Sequence, residues 1–337
     1  MATTIKDVAR AAGVSVATVS RALNGHANVT ATTRANVLGV VAQLRFVPSS
    51  AAQSMITRRT RTVGALLPDL YGEYFSELIR GIDLAARARG LHLLVSSSHG
   101  DAAEAAAALR AMNGRVDGLL VMSPHVSADS LLGNLADDLP AVLMNTRVAD
   151  GKHSSFVVDN HGGAVAMVRH LVECGHREIA FVAGPESNFE AQERLRGYRD
   201  AIGELLPGLA EQVLQGDFTQ ESGHRAGSRV VALTHRPSAV FAGNDMMAIG
   251  CLQAFNESDL QVPADIALAG FDDIPIGRYI TPPLTTVRAR ITELGGLALE
   301  RLASAIEERE RHAPLHETLR ADLIVRASTA PPGRCAP

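Results

Sequence analysis

From residue 62 onward, short apolar runs alternate with segments of helical period, and this alternation constrains the fold most. The runs fall at 63–67, 91–96, 118–122, 141–145, 156–158, 179–183, 239–242 and 267–271. Few polar residues interrupt them, as expected of strands covered on both faces. Between them lie amphipathic stripes. Phe75, Leu78, Ile79, Ile82 and Ala86 form one, ended by Gly90; Val165, Val168, Leu171 and Val172 form another, ended by Gly175. Alternating strands and helices predict parallel sheets with helices on both sides. A stretch of about 270 residues exceeds one such core, so two α/β lobes with a cleft between them are expected.

The first 61 residues have a different character. They carry eight basic residues against Asp7 alone, a charge of +7, whereas the remainder carries 24 basic and 35 acidic residues, or −11. The net −4 of the whole chain hides this asymmetry. A basic module on an acidic body is the electrostatic footprint of a nucleic-acid-binding head. Thr4 can cap a helix with Asp7 as its capping-box partner, and Ile5, Val8, Ala9 and Ala12 form one apolar stripe. Gly13 ends that helix. Ser15 caps a second, with Val19 and Leu23 on its buried face, ended by Asn24-Gly25. Only Val14 and Ser15 separate Gly13 from the second helix, a spacing that reads as helix-turn-helix. A third helix begins near Thr30, with Val37, Leu38, Val41 and Leu44 facing inward. Val16, Ala17 and Arg21 then face outward from the second helix. Arg21 can hydrogen-bond guanine, Val16 and Ala17 can touch thymine methyls, and Thr18 and Ser20 can hold phosphates. Pro48 closes the head. Residues 49–57 can form a marginal helix, and 58–61 a basic linker.

The run from Thr4 to Gly25 resembles the N-terminal signature of the LacI/GalR family of bacterial transcription regulators. The resemblance continues through Leu67-Pro68-Asp69-Leu70, Gly197-Tyr198, Gly216-Asp217-Phe218-Thr219, Asn244-Asp245, and the segments 270–275 and 279–287. It implies a small all-α helix-turn-helix domain plus an α/β two-lobe periplasmic-binding-protein-like domain with parallel sheets. The expected boundaries are a head at 1–47, a hinge helix and linker at 48–61, and a sensor and dimerisation domain at 62–330. The lobes would comprise roughly 62–160 plus 290–320, and 161–289 plus 321–330, with a tail at 331–337. By the same resemblance Met55 is the apolar wedge entering a central minor-groove step, in place of the usual leucine. DNA contacts are expected from Thr4, Ser15, Val16, Ala17, Thr18, Ser20, Arg21, Asn24 and Met55. Arg45 stands where the family usually has glycine, and Ser49 where it has asparagine.

In parallel sheets, ligands sit beyond the carboxyl ends of strands. Asp69, Asn145, Asn244-Asp245 and Asp272-Asp273 follow apolar runs, and any of them can instead cap a helix; Asp245, before Met246-Met247, is read as that cap. The resemblance places effector contacts at Tyr74, Phe75, Arg194, Phe218, Asn244 and Asp272, with Asn145 and Glu190 at variable, specificity-setting positions. Enzyme readings find no support: no glycine-rich nucleotide loop follows a strand, no Gly-x-Ser-x-Gly elbow occurs, and the twelve histidines are scattered. The three cysteines, 174, 251 and 335, form no metal or disulfide pattern, so no cofactor and no metal are expected. No signal peptide or membrane span is evident, which points to the cytoplasm. The expectation is a homodimeric repressor of a carbohydrate-utilisation operon, bound to a palindromic double-stranded DNA operator and released by a sugar or sugar derivative. The alternative is a co-repressor-dependent regulator with a purine-type effector; a periplasmic-type solute-binding protein is further off. The proline-rich tail carries no leucine heptad, favouring a dimer over a tail-linked tetramer.

Overall fold

The computed structural model describes residues 3–23, 26–46, 59–125, 133, 139–146, 152–308 and 313–329. Asn24, Met55, most of the expected hinge and the tail at 331–337 lie outside them. The chain divides into two compact units, Met1–Thr60 and Arg61–Pro337.

Among its described residues the first unit contains three helices: α1 (Ile5–Ala12), α2 (Val16–Leu23) and α3 (Ala31–Gln43). At the start of α1 the Asp7 carboxylate accepts the Thr4 backbone N–H at 3.0 Å and its hydroxyl at 2.7 Å. Gly13 leaves α1 in the left-handed conformation (φ 68°) that glycine adopts without a Cβ clash. Ser15 Oγ accepts the Thr18 N–H at 3.1 Å and starts α2 two residues later. Val8, Ala9, Ala12, Val19, Ala22 and Val37 form the buried centre, with Leu23, Val41 and Leu44 packed against it. Leu38 departs from expectation, being 48% exposed. Residues 37, 41 and 44 share one helix face, and position 38 is turned about 100° away from Val37. Arg45 takes up φ 47°, the left-handed state for which glycine is the unstrained choice.

The second unit holds two α/β layers. The first sheet comprises β1 (Thr62–Leu67), β2 (His92–Ser97), β3 (Gly118–Met122), β4 (Ala141–Met144), β5 (Ser154–Val158) and β11 (His316–Leu319), in the order β11-β5-β4-β3-β1-β2, all parallel. The second comprises β6 (Ile179–Ala183), β7 (Gln212–Gln215), β8 (Ala239–Ala242) and β9 (Ala267–Ala269), ordered β7-β6-β8-β9 and again parallel. The uninterrupted apolar runs have a direct cause. Val63, Ala65 and Leu67 face one core while Leu66 faces another, and Leu120 and Met122 alternate with Leu119 and Val121 in the same way. These central strands are buried on both faces.

The chain crosses between lobes three times. After β5 it enters the second sheet. After β10 (Thr286–Arg288) it returns as a helix, Ile291–Glu308, on the first. After β11 it comes back as β12 (Asp322–Ile324), paired antiparallel with β10. The strands at 212–215, 286–288, 316–319 and 322–324 have no counterpart among the expected runs. β7 and β11 are edge strands interrupted by polar residues (Gln212, Gln215, His316, Glu317 and Thr318), and only Leu319 of β11 is buried, so they lack the continuous apolar signal of central strands.

Candidate ligand cleft and nucleic-acid interface

Between the two lobes lies a cavity of about 260 Å³. Tyr74, Phe75, Glu190, Arg194, Phe218, Asn244 and Asp272 all line it. Asn145 stands just behind, donating its Nδ2–H groups to Tyr74 Oη and Glu190 Oε1, each at 2.9 Å. Thus all eight expected effector residues converge, although they are spread over nearly 200 positions of sequence.

Strand ends and helix starts explain the convergence. Asn145 follows β4 and Asn244 follows β8, while Asp272 lies three residues past β9. Tyr74 and Phe75 begin α4 (Glu73–Ala88) of the first lobe, and their rings meet edge to face at 5.3 Å. Glu190 and Arg194 lie one turn apart on α7 of the second lobe (Phe189–Leu205; α5 is Ala102–Met112 and α6 Asn160–Glu173). The Asn145–Glu190 bond therefore bridges the two lobes. Asn145, Phe218 and Asp272 have φ of 45°, 71° and 110°, unfavourable for side-chain-bearing residues. Such strain concentrates where side chains must be aimed into a site.

The polar floor is organised around Arg194, whose side chain is 3% exposed. Its Nε donates to Asn160 Oδ1 at 2.8 Å and its Nη1 to the Gly243 carbonyl at 2.7 Å. Nη2 lies 2.9 Å from Asp272 Oδ1 and 3.6 Å from Glu190 Oε1. The guanidinium carbon stands 3.9 Å from the Phe271 ring centre and 5.6 Å from that of Phe218. One cation is thus shared by two buried carboxyl groups. Burial pushes Glu190 up to about 7 and Asp272 up to about 6, in each case against the pull of Arg194. The Tyr74 hydroxyl is raised well above its ordinary value by burial and by the nearby Glu190 and Asp272 charges.

Two positions differ from their sequence reading. Asn244, and not Asp245, caps the next helix, Asp245–Glu257: its Oδ1 accepts the Met247 N–H at 2.9 Å while its Nδ2 donates to the Phe218 carbonyl at 3.0 Å. Asp245 is buried inside the first turn, accepting from Thr286 Oγ1 at 2.6 Å and the Ile274 N–H at 2.9 Å. Its carboxyl is pushed well above the usual range by burial and by Asp272. Asn160, Asn188, His125 and Glu73 also reach or support the cleft without having been singled out. Asn160 was findable, being a polar residue two positions beyond β5. His125 was not, since only the fold brings it against Ser187, 3.1 Å away.

In the first unit, Thr4, Ser15, Val16, Ala17 and Arg21 are exposed, and Thr18 and Ser20 are half-buried. Val16 and Ala17 sit at the start of α2 and Arg21 one turn on. Together they form an outward surface of two small apolar groups beside a guanidinium. Among the described residues no group of histidine, cysteine or acidic side chains could hold a metal ion. No helix among them is long and apolar enough to cross a membrane.

Residues 4–49 match the model of the lacI family of bacterial regulatory proteins, and residues 168–329 that of a periplasmic binding protein-like domain. The chain is 37% identical over 334 residues, 97% of each chain, to the HTH-type transcriptional repressor PurR of Proteus mirabilis (strain HI4320). Among solved structures, the Lac repressor dimer bound to operator and the anti-inducer ONPF superposes with a TM-score of 0.88 at 28% identity, covering 98% of this chain and 99% of that one. The complex of the transcriptional regulator CelR with cellobiose superposes with a TM-score of 0.72 at 31% identity, covering 97% and 99%. With its helix-turn-helix head and two-lobe α/β domain, the chain belongs to the LacI family of DNA-binding transcriptional regulators.

Proposed function

We propose that the protein is a cytoplasmic, non-enzymatic, homodimeric repressor whose affinity for a near-palindromic operator is set by a small molecule in the interlobe cleft. In this reading residues 1–47 read a half-site, 48–61 form the hinge, and 62–330 sense the effector and dimerise. Arg21 reads a guanine, Val16 and Ala17 contact thymine methyls, and Thr4, Ser15, Thr18, Ser20 and Asn24 hold the backbone or base edges. Met55 wedges the minor groove. The operator-bound dimer of the Lac repressor supports this arrangement.

The effector is read as a planar, purine-type base acting as co-repressor, in preference to the sugar inducer first expected. One observation carries this choice: Phe218 lines the cavity from a left-handed backbone, its ring centre 5.6 Å from the Arg194 guanidinium, beside the buried polar edge formed by Glu190, Arg194 and Asp272. A flat heterocycle can stack on the ring and satisfy that edge at once. The full-length likeness to PurR repressors, at higher identity than to the cellobiose-bound regulator, supports the same reading. A sugar inducer is the second reading, favoured by that cellobiose complex. The ligand acts by binding one lobe arrangement better than the other, so its effect on DNA affinity is limited by that difference. A gel shift on the DNA upstream of the protein's own reading frame separates the readings. Guanine or hypoxanthine should tighten binding at fixed salt; release by a sugar, with no response to either base, would refute the co-repressor reading.

A further inference from the structure

The charge lining the cleft restricts the ligand more narrowly than its shape does. Five carboxyl-bearing residues, Asp69, Glu73, Glu190, Asp217 and Asp272, line the cavity. Among the described residues Arg194 is the single arginine or lysine to do so. That arginine is already committed: Nε and Nη1 donate to Asn160 and Gly243, and Nη2 faces Asp272 and Glu190. Two histidines also reach the cavity, His99 and His125. His125 is held below its ordinary value by burial and contributes no dependable cation. Asp217, at the rim, pairs with Arg225 at 3.3 Å, so that guanidinium too has a carboxylate partner. A phosphate or carboxylate entering this cleft would be a further negative charge in a water-poor space, with no uncommitted guanidinium to meet it.

We infer that the cleft selects an uncharged, donor-rich ligand and rejects phosphorylated or carboxylated ones, with Glu190 as the residue that sets this selection. The inference rests on the cleft being the effector site but not on which effector occupies it. Glu190 is suited to the role by position. It projects from α7 at the meeting of the lobes, 5% exposed, with Asn145 on one side and Arg194 on the other. A ligand N–H or O–H placed there meets an acceptor; an anionic oxygen meets a like charge. With its carboxyl raised to about 7, Glu190 can take a proton to admit an anion near neutral pH, so the penalty develops above that value and grows about tenfold per pH unit. Its elevated proton affinity fits the same picture, since a ligand donor would favour the ionised form and an anion would oppose it.

Calorimetry on the full chain tests this with matched probes: guanine, guanosine and guanosine 5′-monophosphate; ribose and ribose 5-phosphate; cellobiose and cellobionic acid. At pH 8.5, where Glu190 is ionised, at least one uncharged probe should bind, and its anionic counterpart should bind about 30-fold more weakly. Guanosine controls for bulk without charge. In Glu190→Gln the penalty on the anion should shrink about tenfold, because one negative charge is gone while the side chain keeps its length. An anion that binds as well as its uncharged parent overturns the inference. A penalty unchanged in Glu190→Gln does so too, since size and not charge would then be responsible, as does a panel in which no uncharged probe binds. Binding of ribose or cellobiose without guanine would defeat the purine reading and leave the charge selection standing.

Discussion

Replacing Glu190 by glutamine should change the pH dependence of stability in a direction fixed by the buried network. In the unfolded chain this carboxyl has its ordinary value of 4.5; in the folded protein burial raises it to about 7. Between those values the folded state holds a proton that the unfolded state has released. Stability therefore falls as pH rises through this window, and the full deficit is present above about pH 7. A shift of about 2.5 units at 1.36 kcal/mol each gives about 3 kcal/mol. Glutamine does not titrate, and its carbonyl can still accept the Asn145 Nδ2–H now held at 2.9 Å. The variant should thus escape the loss. Because the unfolded carboxyl is already mostly ionised at pH 5, about 2.5 kcal/mol of this develops between pH 5 and pH 8; at roughly 2 °C per kcal/mol for a domain of this size, the Tm of Glu190→Gln relative to the parent should rise by about 5 °C over that range without ligand. Asp272, raised by burial from 3.8 to about 6, titrates in both proteins and largely cancels from the difference. Thermal melts at pH 5, 6, 7 and 8 measure it. A difference that stays flat, or that grows toward acid, would show that Glu190 is ionised throughout and that the reasoning from burial is wrong.

Arg194→Met should cost about 3–5 kcal/mol at pH 8, because Glu190 and Asp272 lose their shared cation. The cost should be smaller at pH 5, where both carboxyls hold protons; urea unfolding at the two pH values checks this. Arg45→Gly should stabilise the first unit by about 0.5–1 kcal/mol, since φ 47° strains arginine and suits glycine, offset partly by glycine's greater unfolded freedom. The melt of the isolated 1–60 segment, if it folds alone, or of the full chain followed by a probe on α3, reports it. Arg21→Ala should lose about 1–3 kcal/mol of operator discrimination while leaving weak, salt-dependent DNA binding, as measured by competition gel shift against random DNA. Equal affinity of variant and parent for the operator would remove Arg21 from base recognition.

Much of the architecture was legible in the chain because it is written in local periodicity. Runs such as 118–122 and 179–183 coincide with their strands, since residues buried on both faces must all be apolar. The start of the head was equally readable. Capping by Thr4, Asp7 and Ser15 and termination by Gly13 involve residues at most a few positions apart. The resemblance to known regulators added the list of cleft residues, and it added the hinge and Met55, of which Met55 and most of the hinge lie outside the described residues. What the chain could not display was the state of those groups. That Asn244 caps a helix while Asp245 is buried among Thr286 and Ile274 depends on a strand and a turn about 30 to 40 residues away. That Glu190 and Asp272 share one arginine whose remaining donors are taken by Asn160 and Gly243 depends on α6, α7 and two loops meeting in space. Local pattern determines which residues are buried and where the chain turns, because those are short-range consequences of solvent and backbone geometry. The charge balance of the cleft is a sum over groups brought together only by tertiary packing, and only the fold decides which kind of ligand that balance will accept.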